Sequence, residues 1–346
     1  MDNDRLPAVI DAELLPDTTG SVEHTLTPEA AALLDAADAA NTKLAYSRQW
    51  GAFHSWCQDH GVTALPATSK TLANYVGHLA TTPSARTGRT PAPSSIEQAI
   101  AVIRSAHKHA GHKGHPDTTE ALKALKAYRK QLANTGQRKR KAPPITLAKV
   151  RLLVESCDPG TLAGLRDRAI LVLGFAMMAR RSELAGLHLE DVVEDDSGDL
   201  TILVRSSKTD QAGEGVEVIV PRGVHDGTDP VRVVRAYRQA LAARGITTGR
   251  LLRAINQWDQ VSHDSMSGGA INEMVQRRAA VALPGDGLAY TAHGFRAGGA
   301  TEAYRNKAPI SSIRMQGRWA ENSPQVLEYI RAVDAREENP MRGIGL

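Results

Sequence analysis

The stretch AMMARRSELAGLHLEDV, residues 176–192, decides how this chain is read. Its apolar positions from Ala176 to Leu189 recur at helical steps, with Arg180 and Arg181 at the end of an apolar helix. A guanidinium beside a buried helix is costly unless it meets an anion. Arg180 and Glu183 stand three residues apart, share a helical face and can pair. On this motif alone, a structural ion pair and an anion-binding site are equally good readings.

Three downstream segments carry further reactive residue types. LTILVRSS (200–207) and VEVIVPR (216–222) alternate apolar and polar side chains about a Gly-containing turn, the pattern of a β-hairpin. RSSKTDQAG (205–213) puts Lys208 at the hairpin tip, where a lysine is more often a solubilising turn residue than a reactive one. TAHGFRAGGA (291–300) carries His293 and Arg296 one helical turn apart, so that their donors can reach oxygens of one phosphate. Gly298 and Gly299 permit close backbone approach or tight helix packing. GRWAENSPQVLEYIR (317–331) offers the donor-only indole N–H of Trp319. Tyr329 follows in a short helical pattern with Val326, Leu327 and Ile330, and taken singly it reads as a core or surface tyrosine.

Taken in order, Arg180, Lys208, His293, Arg296, Trp319 and Tyr329 resemble the catalytic set of the tyrosine recombinase family. The RxSEL run at Arg180–Leu184, KTDxxG at Lys208–Gly213, HGFR at 293–296 and GRW…EYIR at 317–331 match its motifs. The likeness covers residues 40–346, and Trp319, where many members have histidine, is similar to the Cre-like branch. The resemblance implies a mainly α fold with a small β-sheet. An N-terminal helical bundle (a SAM-like core-binding domain) would precede a mixed α/β catalytic domain. It implies Tyr329 as a nucleophile forming a 3′-phosphotyrosyl bond, with Arg180, His293, Arg296 and Trp319 on the nonbridging oxygens. Lys208 would protonate the leaving 5′-oxygen, and Glu183 would orient an active-site donor. The residue types suit those roles. A phenol of pKa about 10 needs an electropositive site to react near neutrality. Donors aimed at charge that grows in the transition state usually contribute most to catalysis, and an ammonium can serve as general acid. A protein ester stores the phosphodiester's energy, so no cofactor, ATP or metal is called for, and the sequence has no Walker loop or acidic metal cluster. Two departures stand out. Trp319 to Tyr329 is one residue longer than the family's usual spacing, and Pro324 falls where the extra residue can be absorbed. Gly268 and Gly269 stand where Cre-like members can place a base-reading arginine, which implies a different target sequence.

The 346 residues suit two domains, and 42% hydrophobic content suffices for real cores. Residues 1–27 read as a flexible acidic tail, 28–135 as a helical DNA-binding core domain, 136–144 as a basic linker, and 145–346 as the catalytic domain with a C-terminal tail. In the first domain Thr42, Leu44, Tyr46, Trp50, Phe53 and Trp56 form a stripe on one helix face, read as core packing. Further helices are expected near 68–80, 94–110 with Ser94 or Ser95 as cap, and 117–134. In the second, helices are expected near 146–157, 161–179, 229–244, 268–282, 293–306 and 323–334. Cys57 and Cys157 lack metal or disulfide spacing and read as small buried hydrophobes.

Net charge is +4, but residues 1–28 hold six acids against Arg5 alone, which leaves +9 on the remainder. A basic body suits a polyanion. The expected partner is double-stranded DNA bearing a specific target site, with self-association to a dimer and a tetramer on inverted repeats. Accessory proteins are further candidate partners. Candidate DNA contacts are Arg48, Lys70, Arg104, Lys108 and Lys113, with the helices at 42–58 and 93–110 facing a major groove. Arg138, Lys139, Arg140 and Lys141 of the linker can lie along phosphates. His107, His109, His112 and His115 lack acidic or cysteine co-ligands and read as phosphate contacts or plain surface. No apolar run of membrane-spanning length and no signal-peptide pattern occurs, so the expected place is the cytoplasm, on the nucleoid. The residues after Tyr329 could dock on a neighbouring subunit. A type IB topoisomerase, a catalytically dead DNA-binding relative and an unrelated helical protein are the rival readings.

Overall fold

Helix after helix forms where the apolar positions recur every three or four residues, and the chain divides into two compact units, Met1–Arg140 and Lys141–Leu346. The computed structural model describes residues 26–37, 40–85, 87–137, 142–207, 214–321, 323–337, 339 and 341. The acidic segment up to residue 25, the basic run 138–141 and the hairpin tip 208–213 lie outside the described residues. No described helix is long and apolar enough to cross a membrane.

The first unit contains α1 (Pro28–Ala37), α2 (Ala40–Asp59), α3 (Ser69–Thr81), α4 (Pro93–His109) and α5 (Thr119–Asn134). Phe53, Trp56, Leu72, Tyr75, Ile96 and Leu125 meet in one core. The α2 stripe is core only in its second half, because Leu44 and Tyr46 are exposed. The start of α4 also departs from expectation: Ala92 is its N-cap and Pro93 its first residue, so Ser94 and Ser95 lie inside the first turn. Proline suits that position because its missing N–H would have no helical partner there.

His107 corrects the surface reading of the histidine run. It is fully buried. Its Nε2 accepts from the Ala67 N–H at 2.7 Å and its Nδ1 lies 2.7 Å from the Ile103 carbonyl, which fixes the neutral Nδ1–H tautomer. Burial presses its pKa below the ordinary histidine value.

The second unit opens with α6 (Leu147–Glu155), α7 (Leu162–Ala176) and α8 (Arg181–Gly186), then a 3₁₀ turn at Leu189–Asp191. Strands β1 (Val192–Glu194), β2 (Leu200–Val204) and β3 (Val216–Val220) form an antiparallel sheet in that order. Ile202 pairs with Val192 on one side and Val218 on the other, so the buried residues share one face. After α9 (Pro230–Ala242), β4 (Arg253–Ile255) and β5 (Val261–Ser265) form a second small sheet. The unit ends with α10 (Gly268–Ala282), α11 (His293–Arg305), α12 (Ile310–Gly317) and α13 (Pro324–Glu337).

Two close approaches fix α11. A Cβ at Gly174 on α7 would sit 2.6 Å from the Phe295 ring, and one at Gly298 would sit 1.9 Å from the Ile145 carbonyl oxygen. The Ile145 N–H donates to the Gly294 carbonyl at 2.9 Å. Helix α11 is therefore pressed between α7 and the chain before α6. A second small core of Met178, Ala300, Ile313, Trp319, Val326 and Ile330 joins the end of α7 to α11, α12 and α13.

Candidate active site

The run from Ala176 to Leu189 is not one continuous helix, as its periodicity suggested. Helix α7 stops at Ala176 because Met178 turns left-handed, with φ 48°. The Ala179 N–H then donates back to Gly174 and the Met178 N–H to Phe175, the pairing of a Schellman turn. Left-handed backbone at a residue other than glycine costs about 1–2 kcal/mol. The turn frees two carbonyls that face arginines. Met177 accepts from Arg318 Nη2 at 3.2 Å, and Met178 accepts from Arg296 Nη1 at 2.9 Å.

Arg180 follows as the extended N-cap of α8. Its backbone N–H donates to Glu183 Oε2 at 2.8 Å, and its Nη1 to Glu183 Oε1 at 2.6 Å. Glu183 is almost wholly buried and also accepts from Arg318 Nη2 at 2.6 Å. Burial alone would raise the pKa of this carboxyl, but the hydrogen bond and charge of Arg318, with the contacts to Arg180, hold it below the ordinary value. Arg181 points elsewhere: it is exposed, and its stem lies against Gly268. The RxSEL register and the geometry therefore choose the same arginine.

His293 and Arg296 occupy the first turn of α11. Arg296 is 1% exposed, and its guanidinium lies 3.8 Å from the centre of the Trp319 ring. Burial and the nearby charge of Arg180 push its pKa down to about 9. Its Nη2 and the indole Nε1 of Trp319 are both buried with no hydrogen-bond partner among the described residues. Unpaired buried donors are costly in folded proteins, and these two lie side by side where one anionic acceptor could satisfy both.

Tyr329 lies on α13, its ring 6.1 Å from that of Trp319. Its hydroxyl is 3.1 Å from Nε2 of His293. Pro324 opens α13. Burial raises the Tyr329 pKa despite the opposing charge of Arg296. Burial, with Arg296 and Arg180, lowers that of His293, which is therefore neutral at neutral pH. The phenol thus sits protonated beside a neutral imidazole.

Arg180, Glu183, His293, Arg296, Trp319 and Tyr329 are thereby drawn into one cluster, with Glu183, Arg296 and Trp319 buried, Arg180 and Tyr329 half-buried and His293 exposed, although they are dispersed along the chain. Lys208 and Arg138–Lys141 lie outside the described residues. In the first unit, Arg48, Arg104, Lys108 and Lys113 are exposed. Arg104, Lys108, Lys113 and His115 line one surface groove. Lys70 is instead paired with Glu120 at 2.6 Å. Arg318 is the site residue that sequence reasoning passed over. The only signal was a charged residue directly after the glycine that ends α12.

No protein-family model matches the chain. The chain is 30% identical over 308 residues to an integrase/recombinase XerD homologue from Selenomonas ruminantium, covering 89% of this chain and 86% of that protein. The chain belongs to the tyrosine recombinase family. It is also 24% identical to the recombinase Cre of Escherichia phage P1, over 84% of this chain and 83% of Cre. In fold, this tyrosine recombinase resembles lambda integrase (residues 75–356), solved as a dimer bound to a COC′ core site. That match has a TM-score of 0.53 at 16% identity, covering 89% of this chain and 94% of that one. The Tn1549 transposon integrase, solved with transposon right-end DNA, gives 0.52 at 14% identity, covering 87% and 95%. Membership makes the protein an enzyme of site-specific DNA recombination, one that breaks and rejoins DNA strands.

Proposed function

We propose that Tyr329 is the nucleophile and that the orphaned donors beside it receive the scissile phosphate. The observation that carries this reading is the pair of buried, unpartnered groups, Arg296 Nη2 and Trp319 Nε1, in the cluster that holds the Tyr329 hydroxyl. Arg180, Arg296 and Trp319 hold the nonbridging oxygens, where they favour the extra negative charge of the pentacoordinate transition state. The Tyr329 oxygen bonds to phosphorus while the bond to the 5′-oxygen breaks, which leaves a 3′-phosphotyrosyl ester. The phenol proton passes to Nε2 of neutral His293, the role its 3.1 Å separation favours alongside the oxygen contact read from sequence. Lys208, which falls between β2 and β3 in sequence, protonates the leaving 5′-oxygen. Glu183 positions Arg180. The ester conserves the energy of the broken bond, so the reverse attack by a 5′-hydroxyl reseals a strand without ATP or metal.

The wider reading follows from the same chemistry. Residues 28–135 form a DNA-binding core domain, 136–144 a basic linker along the backbone, and 145–346 the catalytic domain. Arg104, Lys108 and Lys113, with Arg48 on α2, supply phosphate contacts from the first unit. Lambda integrase and the Tn1549 integrase were each solved on DNA, the former as a dimer, which supports a duplex partner and self-association here. Exchange between two duplexes takes four protomers on inverted-repeat sites, with accessory proteins as further partners.

The test uses a duplex selected by the protein from a random-sequence library and rebuilt with a nick close to the cut. Wild-type protein is expected to accumulate a covalent adduct resistant to denaturation, and Tyr329→Phe to give none. An adduct that persists in Tyr329→Phe overturns the assignment.

A further inference from the structure

Arg318 is a buried arginine in left-handed backbone, with φ 53°. Its N–H donates to Met315 and that of Trp319 to Arg314, so α12 closes with the same turn that ends α7. Glycine fills the left-handed place at comparable helix ends, for example Gly111 after α4 and Gly245 after α9. Lys307 occupies such a place after α11, but it is exposed. Arg318 differs because its side chain is committed. Nη2 reaches Glu183 and the Met177 carbonyl, Nη1 reaches the Gln316 carbonyl, and its own carbonyl accepts from Arg180 Nη2 at 3.2 Å.

We propose that Arg318 is a positioning residue for the strand-cleavage step: it holds the Glu183 carboxylate from one side and the Arg180 fork from the other. This rests on the reading of the site given above. Without Arg318, Glu183 and Arg180 form a simple pair whose charges cancel. With it, one carboxylate is shared by two guanidiniums, and together with Arg296 the cluster presents two net positive charges to a phosphodiester where it would otherwise present one. The second effect is geometric. Arg180 is bound at three points, its N–H and Nη1 on Glu183 and its Nη2 on the Arg318 carbonyl. Glu183 is in turn fixed by Arg318, itself anchored on two carbonyls. Small displacements of such a fork are felt strongly, since about 1 Å of misplacement can cost on the order of 100-fold in rate.

The left-handed backbone supplies an unusually clean test. Arg318→Gly removes the side chain but favours the turn, so α12 still ends in place. With the selected nicked duplex at saturating protein, the single-turnover rate of adduct formation is expected to fall on the order of 100-fold. DNA affinity by gel shift is expected to change by less than about threefold, because most phosphate contacts lie elsewhere. Arg318→Lys is expected to recover part of the rate, since an ammonium can meet Glu183 but cannot span both carbonyls. In the double variant Glu183→Gln, Arg318→Gly, the losses are expected to be clearly less than multiplicative, as for two residues acting through one contact. A wild-type rate in Arg318→Gly, losses that multiply in the double variant, or a rate loss no larger than the unfolded fraction in a thermal melt would each overturn the proposal. Failure of the underlying reading looks different: wild-type protein then forms no adduct, or forms one that survives Tyr329→Phe.

Discussion

Consider the substitution Glu183→Gln. The Glu183 carboxylate bridges Arg180 and Arg318, at 2.6 Å from each, and its side chain is 1% exposed. Glutamine keeps the shape but loses the charge, and its amide nitrogen meets a donor where an acceptor is needed. Removing one partner of a buried ion pair costs about 3–5 kcal/mol, because the remaining charge is left uncompensated. Arg318 has no easy route to water, being 3% exposed, whereas Arg180 is 20% exposed and can partly rehydrate. The lower half of the range is therefore expected. At about 2–4 °C per kcal/mol for a unit of this size, Tm of the second unit falls by roughly 6–16 °C. Calorimetry on the full chain reads the shift directly. Raising the salt concentration should leave the difference nearly unchanged, since buried charges are poorly screened. The deficit is also pH-dependent. Because the folded pKa of Glu183 lies below its unfolded value, its contribution is complete above about pH 4.3 and is lost as pH falls through the folded pKa. The wild type and Glu183→Gln should therefore converge in acid. A variant that melts within about 2 °C of wild type at neutral pH would falsify the ion-pair account.

Gly298→Ala drives a methyl group onto the Ile145 carbonyl, 1.9 Å away, and should destabilise the second unit by about 1–3 kcal/mol or more; an unchanged denaturant midpoint would refute the contact. His107→Phe leaves the buried Ala67 N–H without its acceptor and should cost the first unit about 1–3 kcal/mol. Since the folded His107 pKa is lowered, that advantage is present above about pH 6.5 and shrinks on acidification, so melts of the two proteins that stay parallel from pH 7.5 to 5 would contradict it. Reversing charge at Arg104 and Lys108 together should weaken duplex binding and reduce the slope of log affinity against log salt by about 2; an unaltered slope would exclude both from the phosphate path.

How much of this was legible in sequence depended on how local each signal is. The six helices expected in the second unit follow from period alone, and α6, α7, α9, α10, α11 and α13 begin and end within a few residues of their expected places. The β2–β3 pairing was equally readable, because strict alternation over five residues leaves one face to bury. The missed elements are those with no local signature. Strands β1 and β4 are three residues long, and α12 is eight residues of mixed character. The break at Met178 was hidden for a related reason. Methionine is an ordinary helix former, and its left-handed turn exists because tertiary contacts hold it, with the flanking carbonyls serving Arg318 and Arg296. The candidate site residues were proposed from their order along the chain. Arg318 belongs to no such order, and its importance lies entirely in a contact with a carboxylate 135 residues away.

The cluster is built against its own stability. Two guanidiniums, from Arg180 and Arg318, converge on the carboxylate of Glu183, and beside them Arg296 is buried so deeply that its pKa is pressed to about 9. The buried donors of Arg296 and Trp319 have no partner among the described residues, and two left-handed residues that are not glycine hold the turns on either side. Each feature costs free energy in the protein alone, and in the proposed reaction one event relieves the donor and charge costs. An anion entering beside Trp319 pairs the orphan donors, offsets the excess charge and draws the Arg296 pKa back up. The large opposing term comes from the core behind the site, where α7, Phe295 and the glycines of α11 pack without gaps. Interactions that strengthen as charge grows on a bound phosphate favour the transition state over the ground state, which is the requirement for accelerating an otherwise very slow phosphodiester exchange. On the proposed assignment of Tyr329, the tension written into the free protein is thus the source of its chemistry, and the least comfortable residues of the fold gather around that tyrosine for that reason.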